Sequence, residues 1–513
     1  MNHDTDLFNE EPKTLYEYQK ADIDRIFDRM DRTPPDYHLL YQLPTGGGKT
    51  VIFSEIVRRY LQYHNKKVVV LTHRIELCRQ TSGMLSGFGV RNKVVNSKIR
   101  ELPDQHEYSC FVCMVETLKN RINDEVLKID NVGLVIIDEA HYNSFRKMLS
   151  SFKKAFILGV TATPLSSNIR LPMYENYDEL IVGDSIASLI SKGFLANAIT
   201  YTYDVGLTSL KVGINGDYTV SSSDELYMGI AMQEKLLHAY TEQAVGTKTL
   251  IFNNGIRTSL YVLDTFRTAG YPIRHLDNTS SPEERRDILS WFRQTPDAIL
   301  TSVGILTTGF DEPTVETIIL NRATKSLTLY FQMIGRGSRK LPHKDTFKVI
   351  DLGNNAARFG LWQDPVDWQR IFRSPEFYLE NLRDDSEIEM HFRYRMPDHV
   401  RAKFALTPNV DFDIEEEYRQ AVHQNLRPKT VIDRSIEQHA AMCVDNTDDL
   451  REARLLSKDL LEDIESRVRR FCHCMPNYTK NYRDWLFEDY KQRLTVEIGK
   501  KYREKIFREE ESV

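Results

Sequence analysis

The residues with the most definite chemistry lie between Pro44 and Thr50, where the sequence reads Pro-Thr-Gly-Gly-Gly-Lys-Thr. The apolar positions that follow recur at helical spacing, so this glycine-rich turn leads into a helix. Such a turn exposes backbone N–H groups and the positive end of the helix dipole to a phosphate. The motif predicts that Lys49 neutralises the β- and γ-phosphates of a nucleotide and that the Thr50 hydroxyl ligates Mg²⁺. The predicted phosphate-binding residues are Thr45, Gly46, Gly47, Gly48, Lys49 and Thr50.

A second motif, Asp-Glu-Ala-His at positions 138–141, follows the apolar run Leu134–Ile137. If this run is a parallel strand, both carboxylates emerge at its carboxyl end, where the ligands of such sheets bind. Asp138 is then expected to hold Mg²⁺, usually through water, and Glu139 to polarise the attacking water. Together with the phosphate-binding turn, the motif predicts a site that hydrolyses ATP with the help of Mg²⁺.

Both motifs lie within an alternation of short apolar runs and amphipathic helical stretches. Continuous apolar runs are typical of parallel strands covered on both faces, and their alternation with helices is typical of an α/β sheet. The runs fall into two sets, which predicts two α/β lobes in tandem. The predicted strands are Val68–Leu71, Phe111–Val115, Leu134–Ile137 and Phe156–Val160 in the first lobe, and Leu250–Phe252, Ala298–Leu300, Thr317–Leu320 and Val349–Ile350 in the second.

The same pattern predicts the domain boundaries. The first lobe is expected to span residues 1–195 and the second residues 236–355. Between them, residues 196–235 form a connecting segment with a hairpin at Asn215-Gly216, a dipeptide that suits a tight turn. After the second lobe the strands stop, and residues 356–513 are predicted to form a mainly helical C-terminal region whose role the sequence does not indicate.

Composition excludes several classes of protein. The 513 residues include 68 Lys+Arg and 74 Asp+Glu, so 68 − 74 gives a net charge of −6 and excludes a wholly basic nucleic-acid coat protein. Any nucleic-acid groove must therefore be a local basic surface. Six cysteines are too few for a disulfide scaffold in a chain of this length and indicate a reducing cytoplasm. The acidic N-terminal sequence does not resemble a signal peptide, and no apolar run approaches the roughly 18 residues of a membrane span.

With its motifs taken in order, the stretch from about residue 13 to 360 resembles a superfamily 2 helicase or translocase of the DEAH-box type. The resemblance implies two RecA-like lobes that bind ATP between them. Tyr18-Gln19 resembles the family's adenine-reading motif, which implies that Gln19 contacts the base, although Tyr16 stands where the family commonly has an arginine. Thr161-Ala162-Thr163 resembles the motif that couples hydrolysis to lobe movement. The implied coupling residues are His141, Thr161, Thr163 and Gln332.

In the second lobe, residues 301–302 and 309–311 resemble motif V, and residues 332–339, Gln-Met-Ile-Gly-Arg-Gly-Ser-Arg, resemble motif VI. The resemblance implies that Gly309 and Asp311 help to bind the nucleotide. We expect Arg339 to be the arginine finger, with Arg336 beside it on the phosphates. A cation from the second lobe reaches a nucleotide on the first only when the lobes close, so hydrolysis would sense closure. The predicted catalytic residues are Lys49, Glu139, Arg336 and Arg339.

Nucleic-acid contacts are expected on both lobes, because a motor that moves along nucleic acid must bind it with each lobe. Residues 72–77, Thr-His-Arg-Ile-Glu-Leu, resemble motif Ia, whose hydroxyls and backbone amides hold phosphates. Thr117 resembles the next such motif in the first lobe, and Asn253-Asn254 resembles motif IV in the second. Contacts of this type predict sequence-independent binding that weakens with salt. The implied nucleic-acid residues are Thr72, His73, Arg74, Thr117, Asn253, Asn254, Thr301 and Ser302.

Within the superfamily, the motifs look most like the group that contains RadD, UvsW, XPB and the motor subunits of restriction enzymes. This resemblance implies action on DNA, in repair, recombination or restriction-type defence. One hypothesis is therefore an ATP-dependent DNA helicase or translocase. A second is a nucleic-acid-gated ATPase switch, or a motor subunit that recruits a partner nuclease without unwinding. A third is an RNA helicase. The motifs do not discriminate among these three hypotheses.

The C-terminal region carries weaker signals. Cys472-His473-Cys474 and the distant Cys443 do not form two Cys-x-x-Cys pairs, so a zinc site is not predicted. Residues 456, 460, 464, 468 and 471 are apolar at helical spacing and predict a core-facing helix. Near the C-terminus, Tyr482, Trp485 and Tyr490 alternate with basic residues, which would suit base stacking. The equal numbers of acidic and basic residues there favour a solvated helix instead.

Overall fold

The apolar runs form two parallel β-sheets, which both lie in the first of two structural units, Met1–Glu380 and Asn381–Val513. The computed structural model describes residues 15–96, 99, 101–102, 104–123, 129–168, 170–307, 309–393, 396–475 and 480–511. The N-terminal residues considered above for an export signal lie outside these ranges. The two sheets confirm the predicted α/β class with two tandem lobes. In the described part of the chain, no helix is long and apolar enough to cross a bilayer.

The first sheet has seven strands in the order β3-β4-β2-β5-β6-β1-β7, paired in parallel throughout. The four residues Leu134–Ile137 of its central strand β5 are completely buried, as expected for a parallel strand with helices on both faces. The strands are β1 His38–Gln42, β2 Lys67–Thr72, β3 Asn92–Val95, β4 Cys110–Met114, β5 Val132–Asp138, β6 Phe156–Thr161 and β7 Glu179–Val182.

The strand order determines which motifs become neighbours. Strand β6 lies between β5 and β1, and its last residue, Thr161, is in register with Gln42, the last residue of β1. On the other side, Asp138 at the end of β5 is in register with Val160 of β6. Because all three strands are parallel, the phosphate-binding turn after β1 and the acidic motif after β5 emerge at one edge of the sheet, with Thr161 between them.

The second sheet has six parallel strands in the order β10-β11-β9-β12-β13-β8. All eight predicted strands are present in the two sheets, with shifts at their ends. Strand β8 falls within the predicted connecting segment and pairs with β13, so that segment begins with a strand of the second lobe. The strands are β8 Asn197–Thr202, β9 Thr249–Asn253, β10 Ile273–Leu276, β11 Ile299–Ser302, β12 Thr317–Asn321 and β13 Thr346–Asp351.

Helices connect and cover the strands of both lobes. Those of the first lobe are α1 Glu17–Arg32, α2 Lys49–Tyr63, α3 Ile75–Gly87, α4 Val115–Asn123, α5 Arg146–Leu149 and α6 Ile186–Ser191. They are followed by α7 Val220–Tyr227, α8 Ile230–Gln243, α9 Ile256–Thr268, α10 Pro282–Gln294, α11 Leu327–Ile334, α12 Asn355–Phe359, α13 Trp368–Arg373 and α14 Pro375–Glu380. Before α7, the predicted turn is present as a small antiparallel bridge between Val212 and Tyr218.

The second unit is helical, as predicted, with a core of its own. Its helices are α15 Asp385–Arg393, α16 Asp398–Arg401, α17 Ile414–His423, α18 Lys429–Asp445, α19 Leu450–Leu456, α20 Leu461–Cys474 and α21 Lys480–Glu511. The apolar stripe predicted from residue 456 to 471 contributes to this core, with Ile464, Val468 and Phe471 almost completely buried. Among the described residues, no three His, Cys, Asp or Glu side chains come together as a metal-binding group.

The prediction of a solvated C-terminal helix is wrong for one face of α21. Leu486, Tyr490, Leu494 and Ile498 recur every four residues and are buried in the core of this unit. A spacing of four residues places side chains on one face of a helix, so the balanced charges occupy only the other faces. Tyr490 is therefore a core residue and does not join Trp485, which is exposed, in a base-stacking surface.

Candidate active site

The phosphate-binding turn connects β1 to α2 and takes its shape from two glycines. Gly46 and Gly48 have φ angles of 88° and 85°, in the left-handed region that favours glycine. A Cβ atom on Gly48 would also lie 2.5 Å from Nε2 of Gln19. Since α2 begins at Lys49, the turn presents the N-terminal end of a 15-residue helix to the edge of the sheet. This is the arrangement that binds phosphate groups.

Leu43, which replaces the first glycine of the strict motif, is buried beneath this turn. A Cβ on Gly47 would lie 2.8 Å from the Leu43 side chain, so the leucine fills the space under the glycine. The Leu43 backbone N–H donates to the carbonyl of Thr161 at 3.0 Å. Leucine at this position therefore leaves the turn intact and connects it to the neighbouring strand β6.

Lys49 extends along the turn, and its Nζ donates to the carbonyl oxygens of Leu43 at 3.2 Å and Pro44 at 3.4 Å. Burial lowers the pKa of Lys49, and the carboxylates of Glu139 and Asp138 partly offset this effect. The structure thus places the lysine charge opposite the acidic motif, in the same small region.

The two carboxylates of the acidic motif differ in their surroundings. Burial, reinforced by the neighbouring charge of Glu139, raises the pKa of Asp138. Burial also acts to raise the pKa of Glu139, but its electrostatic interactions with His141, Lys49 and Arg336 outweigh it and lower that pKa. Glu139 has a φ angle of 52°, a strained conformation for this residue. Its Oε2 atom is buried and has no hydrogen-bond partner among the described residues.

A hydrogen-bonded chain leads from the acidic motif to the second lobe. His141 Nδ1 lies 3.4 Å from Glu139 Oε2 and 3.1 Å from the Thr161 hydroxyl. The Thr161 hydroxyl in turn donates to the backbone carbonyl of Thr163 at 3.0 Å. The Thr163 hydroxyl donates to that of Thr328, 2.9 Å away at the start of α11. The structure therefore brings three predicted coupling residues together and adds Thr328, which no sequence motif indicated.

Both arginines of motif VI lie at the seam between the lobes. Arg339 forms a two-pronged ion pair with Asp311, with N···O distances of 3.0 and 3.1 Å, and donates to the carbonyl of Gly46 at 3.3 Å. Arg336 donates to the carbonyls of Phe310 at 2.5 Å and Thr307 at 2.9 Å. Burial lowers the pKa of Arg336 to about 10, and the negative charge of Glu139 opposes this.

The seam is packed too closely for larger residues at two glycines. A Cβ on Gly46 would lie 2.9 Å from the Ser338 hydroxyl, and a Cβ on Gly335 would lie 2.7 Å from the Thr45 side chain. Gly309, predicted to bind nucleotide, instead packs beside Leu77 of α3, and its carbonyl accepts from Gln80 at 2.8 Å. The first-lobe turn and the motif VI segment thus meet directly.

Gln19 lies beside the phosphate-binding turn at the start of α1. Its Oε1 accepts from the Tyr16 backbone N–H at 3.0 Å, while the Tyr18 hydroxyl donates to the Gly47 carbonyl at 2.7 Å. Tyr16, which stands in place of the family's arginine, packs on Phe194 with ring centroids 4.3 Å apart. The aromatic pair was not indicated by any motif, because Phe194 is distant in sequence.

The predicted nucleic-acid residues of the first lobe do not share one environment. The Thr72 hydroxyl is buried and bonds to the Arg74 carbonyl and to Cys78 Sγ, at 3.2 and 2.8 Å. The His73 ring packs on Tyr142, and Arg74 Nη1 donates to the Ile305 carbonyl of the second lobe at 3.4 Å. Thr117 is buried.

In the second lobe, two of the predicted contacts, Asn253 and Thr301, form a buried hydrogen-bonded row with Asn321 at the carboxyl ends of β9, β11 and β12. Asn253 donates through Nδ2 to the Thr301 hydroxyl at 2.8 Å, and its Oδ1 accepts from Nδ2 of Asn321 at 2.7 Å. Asn254 Nδ2 donates to the Ser223 hydroxyl at 2.7 Å. Ser302 is also buried, and its hydroxyl has no partner among the described residues. The side chains of Asn253, Asn254 and Thr301 thus already make hydrogen bonds within the second lobe.

Two family profiles match the first unit. Residues 12–166 match the res subunit of type III restriction enzymes, and residues 231–340 match the helicase conserved C-terminal domain. These matches cover the phosphate-binding turn, the acidic motif and the arginines of motif VI. They include both sides of the seam described above.

Individual relatives agree with these profiles. The chain is 28% identical to a 51.5 kDa protein of Lactococcus phage (isolate 7-9), over 65% of this chain and 69% of the phage protein. It is 30% identical to the putative ATP-dependent helicase IRC3 of Saccharomyces cerevisiae, over 66% of this chain but only 51% of the yeast protein. A fragment of a putative HsdR subunit of a type I restriction enzyme from Vibrio vulnificus YJ016 has the same fold. It gives a TM-score of 0.54 at 22% identity, over 68% of this chain and 66% of that one.

Proposed function

The chain belongs to superfamily 2 of ATP-hydrolysing helicases and translocases, in the restriction-motor group, and on this basis we propose that it is an ATP-dependent DNA motor. ATP and Mg²⁺ bind at the seam between the two lobes of the first unit. Opening and closing of that seam during hydrolysis moves the protein along DNA. The contact of Arg339 with the Gly46 carbonyl across the seam is the observation that carries this proposal.

The residues at the seam fit a nucleotide with a divalent cation. Asp138 and Glu139 are acidic and closely spaced, and the Glu139 Oε2 atom is buried without a hydrogen-bond partner among the described residues. Asp138 and the Thr50 hydroxyl would hold Mg²⁺, while Lys49 and the N–H groups of the turn would bind the phosphates. When bound, Mg²⁺ supplies neutralisation of charge on the phosphate oxygens.

Glu139 is the general base of this proposal. Nearby positive charges keep its pKa low, so it is a carboxylate able to orient a water molecule and accept its proton. His141 Nδ1 lies near both the Glu139 carboxylate and the Thr161 hydroxyl, which connects the base to β6. Arg336 and Arg339 would stabilise charge on the phosphate from the second lobe, so full activity requires a closed seam.

DNA is the proposed track because the first profile is that of a restriction-enzyme subunit. Binding is expected to use backbone contacts and therefore to be independent of sequence and sensitive to salt. An affinity unchanged between low and high salt would contradict this. A partner nuclease, as in a restriction assembly, would be an addition to the motor and does not alter the chemistry at the seam.

The decisive experiment compares ATP turnover of the full chain alone and with single-stranded DNA, duplex DNA, branched DNA and RNA. Stimulation by one or more of the DNA forms beyond that by RNA supports the proposal, and Lys49→Ala should abolish it. Preferential stimulation by RNA would overturn the assignment of DNA. Strand displacement by the purified chain distinguishes a helicase from a translocase or switch that hydrolyses ATP without unwinding.

A further inference from the structure

Tyr142 lies between two histidines that belong to different motifs. Its ring centroid is 4.3 Å from that of His73 and 4.3 Å from that of His141, with the ring planes tilted by 40° and 38°. The three rings thus form a continuous row of packed aromatic groups. His141 is the last residue of the acidic motif, whereas His73 follows strand β2 in the segment that resembles motif Ia. No sequence motif assigned a role to Tyr142.

One end of this row reaches the general base. His141 Nδ1 is 3.4 Å from Glu139 Oε2 and 3.1 Å from the Thr161 hydroxyl. His141 is almost completely buried, so a change in the position of Tyr142 cannot be absorbed by solvent on that side. Because protein interiors are close-packed, displacement of one ring must displace its neighbour.

The other end of the row reaches the proposed nucleic-acid segment. His73 has no hydrogen-bond partner for either ring nitrogen among the described residues, so packing on Tyr142 is the main contact that positions its ring. Burial lowers the pKa of His73 to about 4, which keeps the ring neutral near physiological pH. The adjacent Arg74 reaches the Ile305 carbonyl of the second lobe, so this segment also touches the opposite side of the seam.

Gln332 of the second lobe also influences Tyr142. Burial raises the pKa of Tyr142, and the side chain of Gln332 in α11 acts at its hydroxyl in the opposite direction. Gln332 is buried, and its Nε2 has no hydrogen bond of normal geometry among the described residues. Tyr142 is therefore the residue where the acidic motif and the motif Ia segment meet, through its ring contacts with His141 and His73.

From this convergence we propose that Tyr142 is a positioning residue that couples nucleic-acid binding to ATP hydrolysis. A nucleic acid that moves residues 72–74 shifts His73, which shifts Tyr142 and through it His141 and the carboxylate of Glu139. The three rings of His73, Tyr142 and His141 are packed against one another, so a displacement at one end of the row moves the ring at the other end. No proton or charge needs to be transferred along the row. This inference deepens the proposed function and rests on nucleic-acid-stimulated hydrolysis by the full chain.

The test compares the wild type with Tyr142→Phe and Tyr142→Leu. Phenylalanine keeps the ring and should keep most of the stimulation, whereas leucine removes the stacking and should reduce stimulation by about tenfold, a typical coupling between sites. The KM for ATP should remain close to that of the wild type, and the stimulation is measured as the ratio of turnover with nucleic acid to turnover without it. Tyr63→Leu, at an exposed tyrosine of the same lobe, is the matched control and should behave as the wild type.

Coupling is reciprocal, which supplies a second readout. In the wild type, a non-hydrolysable ATP analogue with Mg²⁺ should change the affinity for a labelled oligonucleotide, and in Tyr142→Leu this change should be lost. If Tyr142→Leu does not fold, His73→Ala and His73→Phe provide the same comparison from the other end of the row. His73→Ala should then reduce the stimulation of turnover by nucleic acid, whereas His73→Phe, which keeps an aromatic ring, should keep most of it.

The outcomes separate the two claims. If the wild type is stimulated by nucleic acid and Tyr142→Leu is stimulated equally, the inference is wrong and the proposed motor function stands. Equal loss in Tyr142→Phe and Tyr142→Leu would also overturn it, because the ring would then not be the part that matters. If no nucleic acid stimulates ATP turnover by the wild type, both the proposed function and the inference are wrong.

Discussion

Arg339 in the second lobe donates a hydrogen bond to the backbone carbonyl of Gly46 in the first lobe, over 3.3 Å. The other edge of the same guanidinium is held by Asp311 of its own lobe. Asp311 therefore fixes the orientation of Arg339. The remaining guanidinium nitrogen, Nη1 of Arg339, faces the phosphate-binding turn. A cation fixed in this way lies at the seam and senses whether the two lobes are close together.

Replacing Glu139 by glutamine should separate binding from hydrolysis. The amide has nearly the same shape as the carboxylate but cannot accept the proton of water, so kcat should fall by about 10²- to 10⁴-fold. The affinity for ATP, measured with a fluorescent analogue, should change little. Full turnover in Glu139→Gln would show that another group is the base.

Removal of Mg²⁺ should abolish turnover, and Asp138→Asn should raise the Mg²⁺ concentration needed for half-maximal rate. Asp138 is a buried carboxylate next to Glu139, so a bound cation stabilises its charged form. Loss of a residue that holds a metal ion through water typically weakens metal binding by about 10- to 100-fold. Titration of ATP turnover with Mg²⁺ measures the effect. Asp24→Asn, at an exposed position of α1, is the control, and an equal shift there would contradict the assignment.

The hydroxyl pair of Thr163 and Thr328 should contribute to coupling between the lobes. Thr163→Val and Thr328→Val each remove the 2.9 Å hydrogen bond with little change in shape, so each should lower nucleic-acid-stimulated turnover. The double variant should be no worse than either single one, because the two hydroxyls act as one unit.

The matched control for this pair is Thr317→Val. Thr317 bonds to Thr247 at the same distance, 2.9 Å, but both residues belong to the second lobe. Its loss should affect stability and leave stimulated turnover in place. Additive effects of Thr163→Val and Thr328→Val on turnover would show that the two residues do not interact in the working enzyme.

His439 should make the second unit less stable in acid. Burial lowers its pKa to about 4, helped by the charge of Arg467 and opposed by Asp463. Its Nε2 pairs with Asp463 at 2.7 Å and its Nδ1 with the Tyr490 hydroxyl at 2.9 Å, an arrangement that suits a neutral ring. As pH falls below about 6.5, the unfolded chain binds a proton that the folded chain does not, so stability decreases.

The decrease should continue until the pH reaches the folded pKa of about 4 and should total about 3 kcal/mol. Calorimetric unfolding of the full chain across this range, compared with His439→Gln, measures the part due to the histidine. The stability of the wild type should fall relative to the variant as the pH decreases. A constant difference between the two proteins would show that His439 titrates normally.

Much of the fold could be predicted because apolar patterning reports burial directly. Strand β5 is a run of four completely buried aliphatic residues, and the sequence placed it correctly. Strands β1, β3, β7, β8 and β10 were not predicted, because each contains polar or half-buried residues that interrupt the apolar run. On α21, Tyr490 was misread because its neighbours are charged, whereas its burial depends on residues four positions apart.

The candidate site was predictable where chemistry is encoded by adjacent residues. The turn before Lys49 and the pair Asp138-Glu139 are local motifs, so their types and spacing suffice. Contacts between distant segments were not visible in the sequence, as with Thr328, Phe194 and the stacking of Tyr142 on His73. The contact of Tyr142 with His73 depends on the neighbouring positions of β2 and β5 in the sheet, and the contact of Thr163 with Thr328 depends on how the two lobes pack. No local pattern indicates either arrangement.

The central claim, that guanidinium groups of the second lobe complete an ATP site on the first, is tested most directly by single-turnover hydrolysis with enzyme in excess over ATP and with saturating DNA. Arg339→Ala and Arg336→Ala should each bind ATP and hydrolyse it about 10³- to 10⁵-fold more slowly than the wild type. Lys340→Ala, whose ammonium pairs with Asp345 in its own lobe, should retain the wild-type rate. Hydrolysis at the wild-type rate by both arginine variants would contradict the account.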